Sequence, residues 1–103
     1  PPRSTLFPYT TLFRSGKSWY NNETYVNLLA WEWRLGNERR LVVINYSETL
    51  STCRLKLDLS GYPENIVFRD LMNDKSYLRS GEEIISEGLY IELKPYQSHI
   101  FAY

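Results

Sequence analysis

Four carboxylates, Glu32, Asp58, Asp70 and Glu92, stand among apolar neighbours in this 103-residue chain and are the groups best suited to acid–base work. Hydrolysis by a carboxylate pair needs two of them about 5–10 Å apart, one with a raised pKa, in a concave pocket. Glu32 and Asp58 alternate with apolar residues, so strand parity turns them toward solvent or a neighbouring domain. Asp70 comes just before Asn73-Asp74, where an aspartate caps a backbone amide of the turn. No catalytic pair is expected. His99 is the only histidine. It has no G-x-S-x-G or similar nucleophile motif to serve, and reads as a packed, hydrogen-bonded residue of the last strand. Cys53, the only cysteine, has no partner at zinc spacing and none for a disulfide; its place in an alternating run makes it a small buried apolar residue. No metal or cofactor is expected.

Three Trp, nine Tyr and four Phe are many for this length. Sandwich cores and domain interfaces use such residues, which is the preferred reading. The alternative is a platform on which sugar rings stack, with Trp19, Tyr20, Tyr62, Tyr77 and Tyr90 as its candidates and Tyr25 near them. Asn22-Glu23-Thr24 and Asn45-Tyr46-Ser47 match the glycosylation triplet, a pattern common by chance, and are given no role. Lys+Arg and Asp+Glu both number 12. This balance makes no case for nucleic acid or anionic lipid, and no apolar run approaches the ~20 residues of a membrane helix. Localisation stays open between cytoplasm and secretion.

Residues 1–15 (PPRSTLFPYTTLFRS) have no regular period and no acidic residue. The string is similar, residue for residue, to one reading frame of a common short-read sequencing adapter. It is set aside as non-native and expected to be disordered. Residues 16–26 read as a linker, and residues 27–103 as one domain.

Within 27–103 the elements that position the candidate residues are strands. Residues 27–34 and 39–46 flank Gly36-Asn37, which suits a two-residue type II′ hairpin because glycine takes the positive φ. That turn predicts a register: Leu35 opposite Glu38, Arg34 opposite Arg39, Trp33 opposite Arg40, Trp31 opposite Val42 and Leu29 opposite Ile44. Leu29, Trp31, Trp33, Val42 and Ile44 then share the face expected to be core, with Arg40 against the Trp33 ring. The other face carries Leu28, Ala30, Leu41 and Val43 among charged residues, and calls for cover by another domain. His99 and Phe101 are assigned to that same interface. Residues 51–59 alternate most cleanly, and further strands are expected over 65–72, 76–79, 89–93 and 96–102, with a brief segment over 83–86. No window sustains a helical period for about ten residues. The fold class is therefore all-β: an antiparallel Greek-key β-sandwich of about eight strands.

The order of short motifs carries a resemblance. Asn27-Leu28-Leu29-Ala30-Trp31 is followed by Leu41-Val42-Val43-Ile44-Asn45-Tyr46-Ser47. Then come Asp70-Leu71, Tyr77 with Arg79 and Gly81, Gly88-Leu89-Tyr90-Ile91, and Pro95-Tyr96 with His99-Ile100-Phe101. This series resembles the C-terminal β-domain of α-amylase family glycoside hydrolases of the maltogenic amylase type; Lys94 departs from it at a turn. The resemblance implies a domain that follows a (β/α)8 catalytic barrel and packs on it. The barrel's carboxylates act on α-glucosidic bonds, and no barrel motif occurs here. The expected function is thus a non-catalytic domain stabilising a missing barrel of the same parent chain. A carbohydrate-binding module for α-glucan is the alternative, and a free-standing enzyme the least favoured reading.

Overall fold

The computed structural model describes residues 9–13 and 15–103. Among the described residues, eight antiparallel strands form two sheets. The strands are β1 (Tyr9–Phe13), β2 (Leu28–Leu35), β3 (Glu38–Asn45), β4 (Ser51–Leu55), β5 (Asn65–Asp70), β6 (Lys75–Ser80), β7 (Leu89–Leu93) and β8 (Ser98–Ala102). The large sheet runs β1-β2-β3-β8-β5-β6 and the small one pairs β4 with β7. The last strand enters between β3 and β5, a Greek-key crossover, and the whole is a β-sandwich.

The β2–β3 hairpin has the predicted register at every pair from Leu28↔Asn45 to Leu35↔Glu38. Gly36 takes φ 61° while Asn37 is not among the positive-φ residues, as a type II′ turn requires. The assignment of faces is reversed. Leu28, Ala30, Leu41 and Val43 are buried and lie in the core with Phe101, against Cys53, Leu55, Ile91 and Leu93 of the small sheet. They are therefore not free to meet another domain. Leu29 and Trp33 are exposed, and Trp31, Val42 and Ile44 are half-buried on the outside. The physical reason lies in Glu32 and Arg39. Both share the inner face and both are buried, because they neutralise each other there; in the sequence they look like markers of a wet face. Arg40 turns from Trp33 to Glu38, with Nη2 donating to Oε1 at 3.0 Å.

Three further segments differ from expectation. Of residues 1–15, Tyr9–Phe13 form β1, an edge strand paired with β2 from Tyr9↔Arg34 to Phe13↔Ala30; residues 1–8 and 14 lie outside the described residues. A free sheet edge templates any extended chain with β-forming side chains, which this segment supplies. Residues 16–26 are tied down. Gly16 exchanges two 2.9 Å backbone hydrogen bonds with Arg54, Asn22 is buried, and Thr24–Asn27 make a 3-10 turn. Finally, Gly81–Glu87 form a helix, α1, where a brief extended segment was expected. Its start carries a capping signature: Ser80 Oγ accepts the Glu83 amide at 3.3 Å, the S-x-x-E pattern. Seven residues are too few for the periodicity test to register.

Candidate functional site

Two strands cannot cover six. The small sheet packs on the inner face of the large one, and a cleft opens between β7 and the β8-β5-β6 side. Its volume is about 320 Å³, with Phe68, Tyr77, Arg79, Tyr90, Glu92, His99 and Phe101 in the lining. It continues through Tyr77, Glu92 and His99 into a more polar recess of about 370 Å³ reached by Asn73, Lys75, Lys94 and Gln97. Strand register places the inner-face members: Phe68 faces Tyr77 across β5–β6, and Phe101 faces Asp70 across β5–β8. Phe101 meets Phe68 and Tyr77 edge-on, with ring centroids 6.2 Å apart in both pairs.

His99 stacks on Phe101 at 5.1 Å, and its Nδ1 lies 2.8 Å from Asp70 Oδ2. Asp70 is fully buried at the end of β5. Its Oδ1 accepts the Met72 and Asn73 amides at 2.9 and 3.3 Å, and its Oδ2 accepts the Asn73 side-chain amide at 2.8 Å. The expected turn cap is thus present. Burial raises the Asp70 carboxyl, but these donors and the adjoining His99 outweigh it and hold the group below its ordinary value. An ionised carboxylate only accepts, so His99 Nδ1 carries the hydrogen. Its other ring nitrogen, Nε2, makes no hydrogen bond among the described residues, and the ring lines the cleft. Glu92, on the exposed face of β7, accepts from Tyr90 at 3.2 Å, and the Arg79 guanidinium lies over the Tyr77 ring at 5.2 Å.

The structure therefore brings together two of the five aromatic candidates, Tyr77 and Tyr90. Trp19 and Tyr20 stand exposed on the loop before the 3-10 turn, away from the cleft. Tyr62 is packed beside Arg39, whose guanidinium lies 5.0 Å from the Tyr62 ring and 4.5 Å from the Tyr103 ring. Among the proposed interface residues only His99 and Phe101 reach a surface, at the cleft wall, and Phe101 is otherwise buried.

Of the carboxylates, Asp58 is exposed and caps Ser60, with Oδ1 accepting from the amide at 3.0 Å and the hydroxyl at 2.7 Å. Glu32 does not face solvent as parity implied. It accepts from Arg39 Nη2 at 2.7 Å, from Arg34 Nε at 2.5 Å and from the Tyr103 hydroxyl. Burial raises this carboxyl too, and the three donors more than reverse it; Tyr103 is pushed up by burial and by Glu32. The hairpin register carried the signal for this cluster. It sets Arg34 directly opposite Arg39, a like-charge pair that a strand pair tolerates only with a bridging anion. Asn45 was also missed. Fully buried at the end of β3, its amide donates to the carbonyls of Thr49, Leu93 and Lys94 and ties the two sheets together. Cys53 is buried as expected, and burial lifts its thiol to about 12.

No protein-family model matches the chain, and no curated protein matches it either.

Proposed function

We propose that this chain is a non-catalytic β-domain that packs on a larger domain through the outer face of its six-stranded sheet. The motif order argues that this larger domain is the (β/α)8 barrel of an α-amylase family glycosidase. One observation carries the packing claim. The outer face presents a continuous apolar stripe across adjoining strands: Trp31 lies opposite Val42 and Val42 opposite Ile100, with Leu29 opposite Ile44 beside them and Trp33 exposed at the end. Val67 and Leu78, paired and exposed on β5 and β6, form a separate apolar pair beyond Arg69. A contiguous apolar patch of this kind marks an interaction surface, whereas scattered apolar residues would mean nothing.

The carboxylates support the non-catalytic part. Glu32 and Asp70 are engaged by several hydrogen-bond donors each, and Asp58 caps a turn. None is paired with a second carboxyl whose value is raised, which acetal hydrolysis requires. Sequencing the gene upstream of the Gly16 codon tests the proposal directly. A (β/α)8 reading frame continuous with Gly16 is expected; a frame encoding another fold would overturn the family reading. Packing is tested separately by hydrophobic-dye binding to the 103-residue chain. Trp31→Ser with Val42→Ser should reduce it strongly, and an unchanged signal would show that the outer stripe is not the sticky surface.

A further inference from the structure

We propose that the free edge of β7 accepts one extended strand of a partner polypeptide, which widens the small sheet and fills the cleft beside it. Gly16 and Arg54 exchange two backbone hydrogen bonds, so the Arg54 amide and carbonyl point away from β7. In an antiparallel pair, the residue opposite such a position turns its own amide and carbonyl outward as well. Tyr90 is the residue opposite Arg54. Thr52 likewise gives its amide to Thr24 Oγ1, and it lies opposite Glu92. The amides and carbonyls of Tyr90 and Glu92 therefore face away from β4, along the edge of β7 that carries no strand. Among the described residues no backbone group bonds to them there. The strand pairs in unbroken register and holds no proline, so it has neither a bulge nor a missing amide to blunt this edge.

The cleft decides what fits on that edge. The large sheet extends past β7, and Phe101, Phe68 and Tyr77 on its inner face form the cleft floor. A strand seated beside β7 turns alternate side chains down onto this floor, in the layer of the buried Leu89, Ile91 and Leu93. Its other side chains share the exposed face of Tyr90 and Glu92. The occupant is therefore apolar at every second position. The same overhang disfavours a second copy joined edge to edge through β7, because the two large sheets would claim the same space. At about 320 Å³ the cleft takes a few side chains and no folded domain. Charge specifies the flanks. Lys75, Arg79 and Lys94 outnumber Glu92 in the lining of the cleft and its recess, which suits acidic residues at the ends of the incoming strand. Backbone pairing then supplies affinity, and the floor selects side chains. None of this depends on the outer-face packing proposed above.

The test adds capped heptapeptides to the 103-residue chain and follows its backbone amides by proton–nitrogen NMR. Each peptide alternates threonine with valine, leucine, phenylalanine or tyrosine between glutamate ends. At least one should shift the Tyr90 and Glu92 amides saturably by millimolar concentration and slow their exchange with solvent. N-methylating that peptide at alternate positions separates strand addition from simple apolar contact. One parity, whose amides face β7, should bind about tenfold more weakly, and the other should bind as before. Glu92→Pro removes an outward amide that the domain does not use, as an edge strand tolerates, and should weaken binding by about the same factor. If that variant fails to fold, the two N-methylated peptides decide alone. Lysine ends should weaken binding several-fold, and Arg79→Glu should reverse that preference. Amides of Tyr90 and Glu92 that no peptide moves, while the spectrum stays folded, would overturn the proposal. So would equal losses from both N-methylation parities. Shifts of these amides with protein concentration alone, at the mass of a dimer, would assign the edge to a second copy and overturn it too.

Discussion

Two buried carboxylates sit on the inner face of the same sheet, and they do different things. Glu32 is closed off: Arg39, Arg34 and Tyr103 use its acceptor positions, and the rings of Tyr62 and Tyr103 enclose the Arg39 guanidinium. Asp70 is equally buried, but one of its partners is a histidine whose second nitrogen faces a cleft. The first arrangement keeps its hydrogen bonds inside the domain, with only the Arg39 Nε left without a partner among the described residues. The second passes some of it to a surface. Burial and ion pairing therefore do not by themselves mark a functional site; spare capacity facing open space does.

This contrast can be broken from either side. The largest effect is expected at the closed cluster. Glu32→Ala leaves Arg39 buried without its anion, a loss of about 3–5 kcal/mol. Thermal unfolding should drop by roughly 15 °C or more. A drop of only a degree or two would mean that the guanidinium reaches water. Replacing both partners by apolar residues, as in Glu32→Leu with Arg39→Met, should restore much of the loss, because no charge is then stranded.

Acid comes next. Glu32 and Asp70 are both held below the ordinary carboxylate range, by donors that outweigh burial. A folded-state value below the unfolded one means that the stabilisation is complete above the unfolded value, about 4, and is lost as pH falls through the folded one. Urea midpoints should hold from pH 7 to about 5 and fall steadily below about pH 4. A midpoint that stays flat to pH 3 would contradict the pairing of both groups.

Asp70→Ala should cost less than Glu32→Ala, about 1–3 kcal/mol. It removes an acceptor from two amides, Asn73 and His99, but strands no full charge in the core. It should also release the His99 ring, whose Nδ1 loses its acceptor. A stability loss with His99 resonances unmoved would break the proposed coupling. Smallest of all is Trp33→Ser on the outer face, expected to change stability by no more than about 0.5 kcal/mol. A severe destabilisation there would show that the outer face is a second core.

Much of the fold was legible from particular residues. Gly36-Asn37 specified the β2–β3 register to the residue, since a two-residue turn leaves no slack between its strands. The alternation of Cys53 and Leu55 marked β4, but the strand stops at Leu55, short of the expected Leu59, and Thr52 on its other face is buried as well. Ser80 and Glu83 announced α1 as a capping pair, although a test for helical period passed over so short an element. The candidate site was half legible. Tyr77 and Tyr90 were named for their chemistry, but so were Trp19, Tyr20 and Tyr62, and composition alone did not separate them.

Local chemistry thus determined where strands begin, how they turn and which residues share a face, because those depend on neighbours along the chain. Which face turns inward is a different question. Period-two alternation is symmetric between the two sides of a strand, and the weights of Trp and Leu favoured the wrong one. The balance was tipped by Glu32, Arg39 and Tyr103, which become tolerable inside only once residues far apart in sequence are brought together. The cleft is tertiary in the same sense. It exists because a two-stranded sheet lies over a six-stranded one, and no segment of the chain records that mismatch of widths.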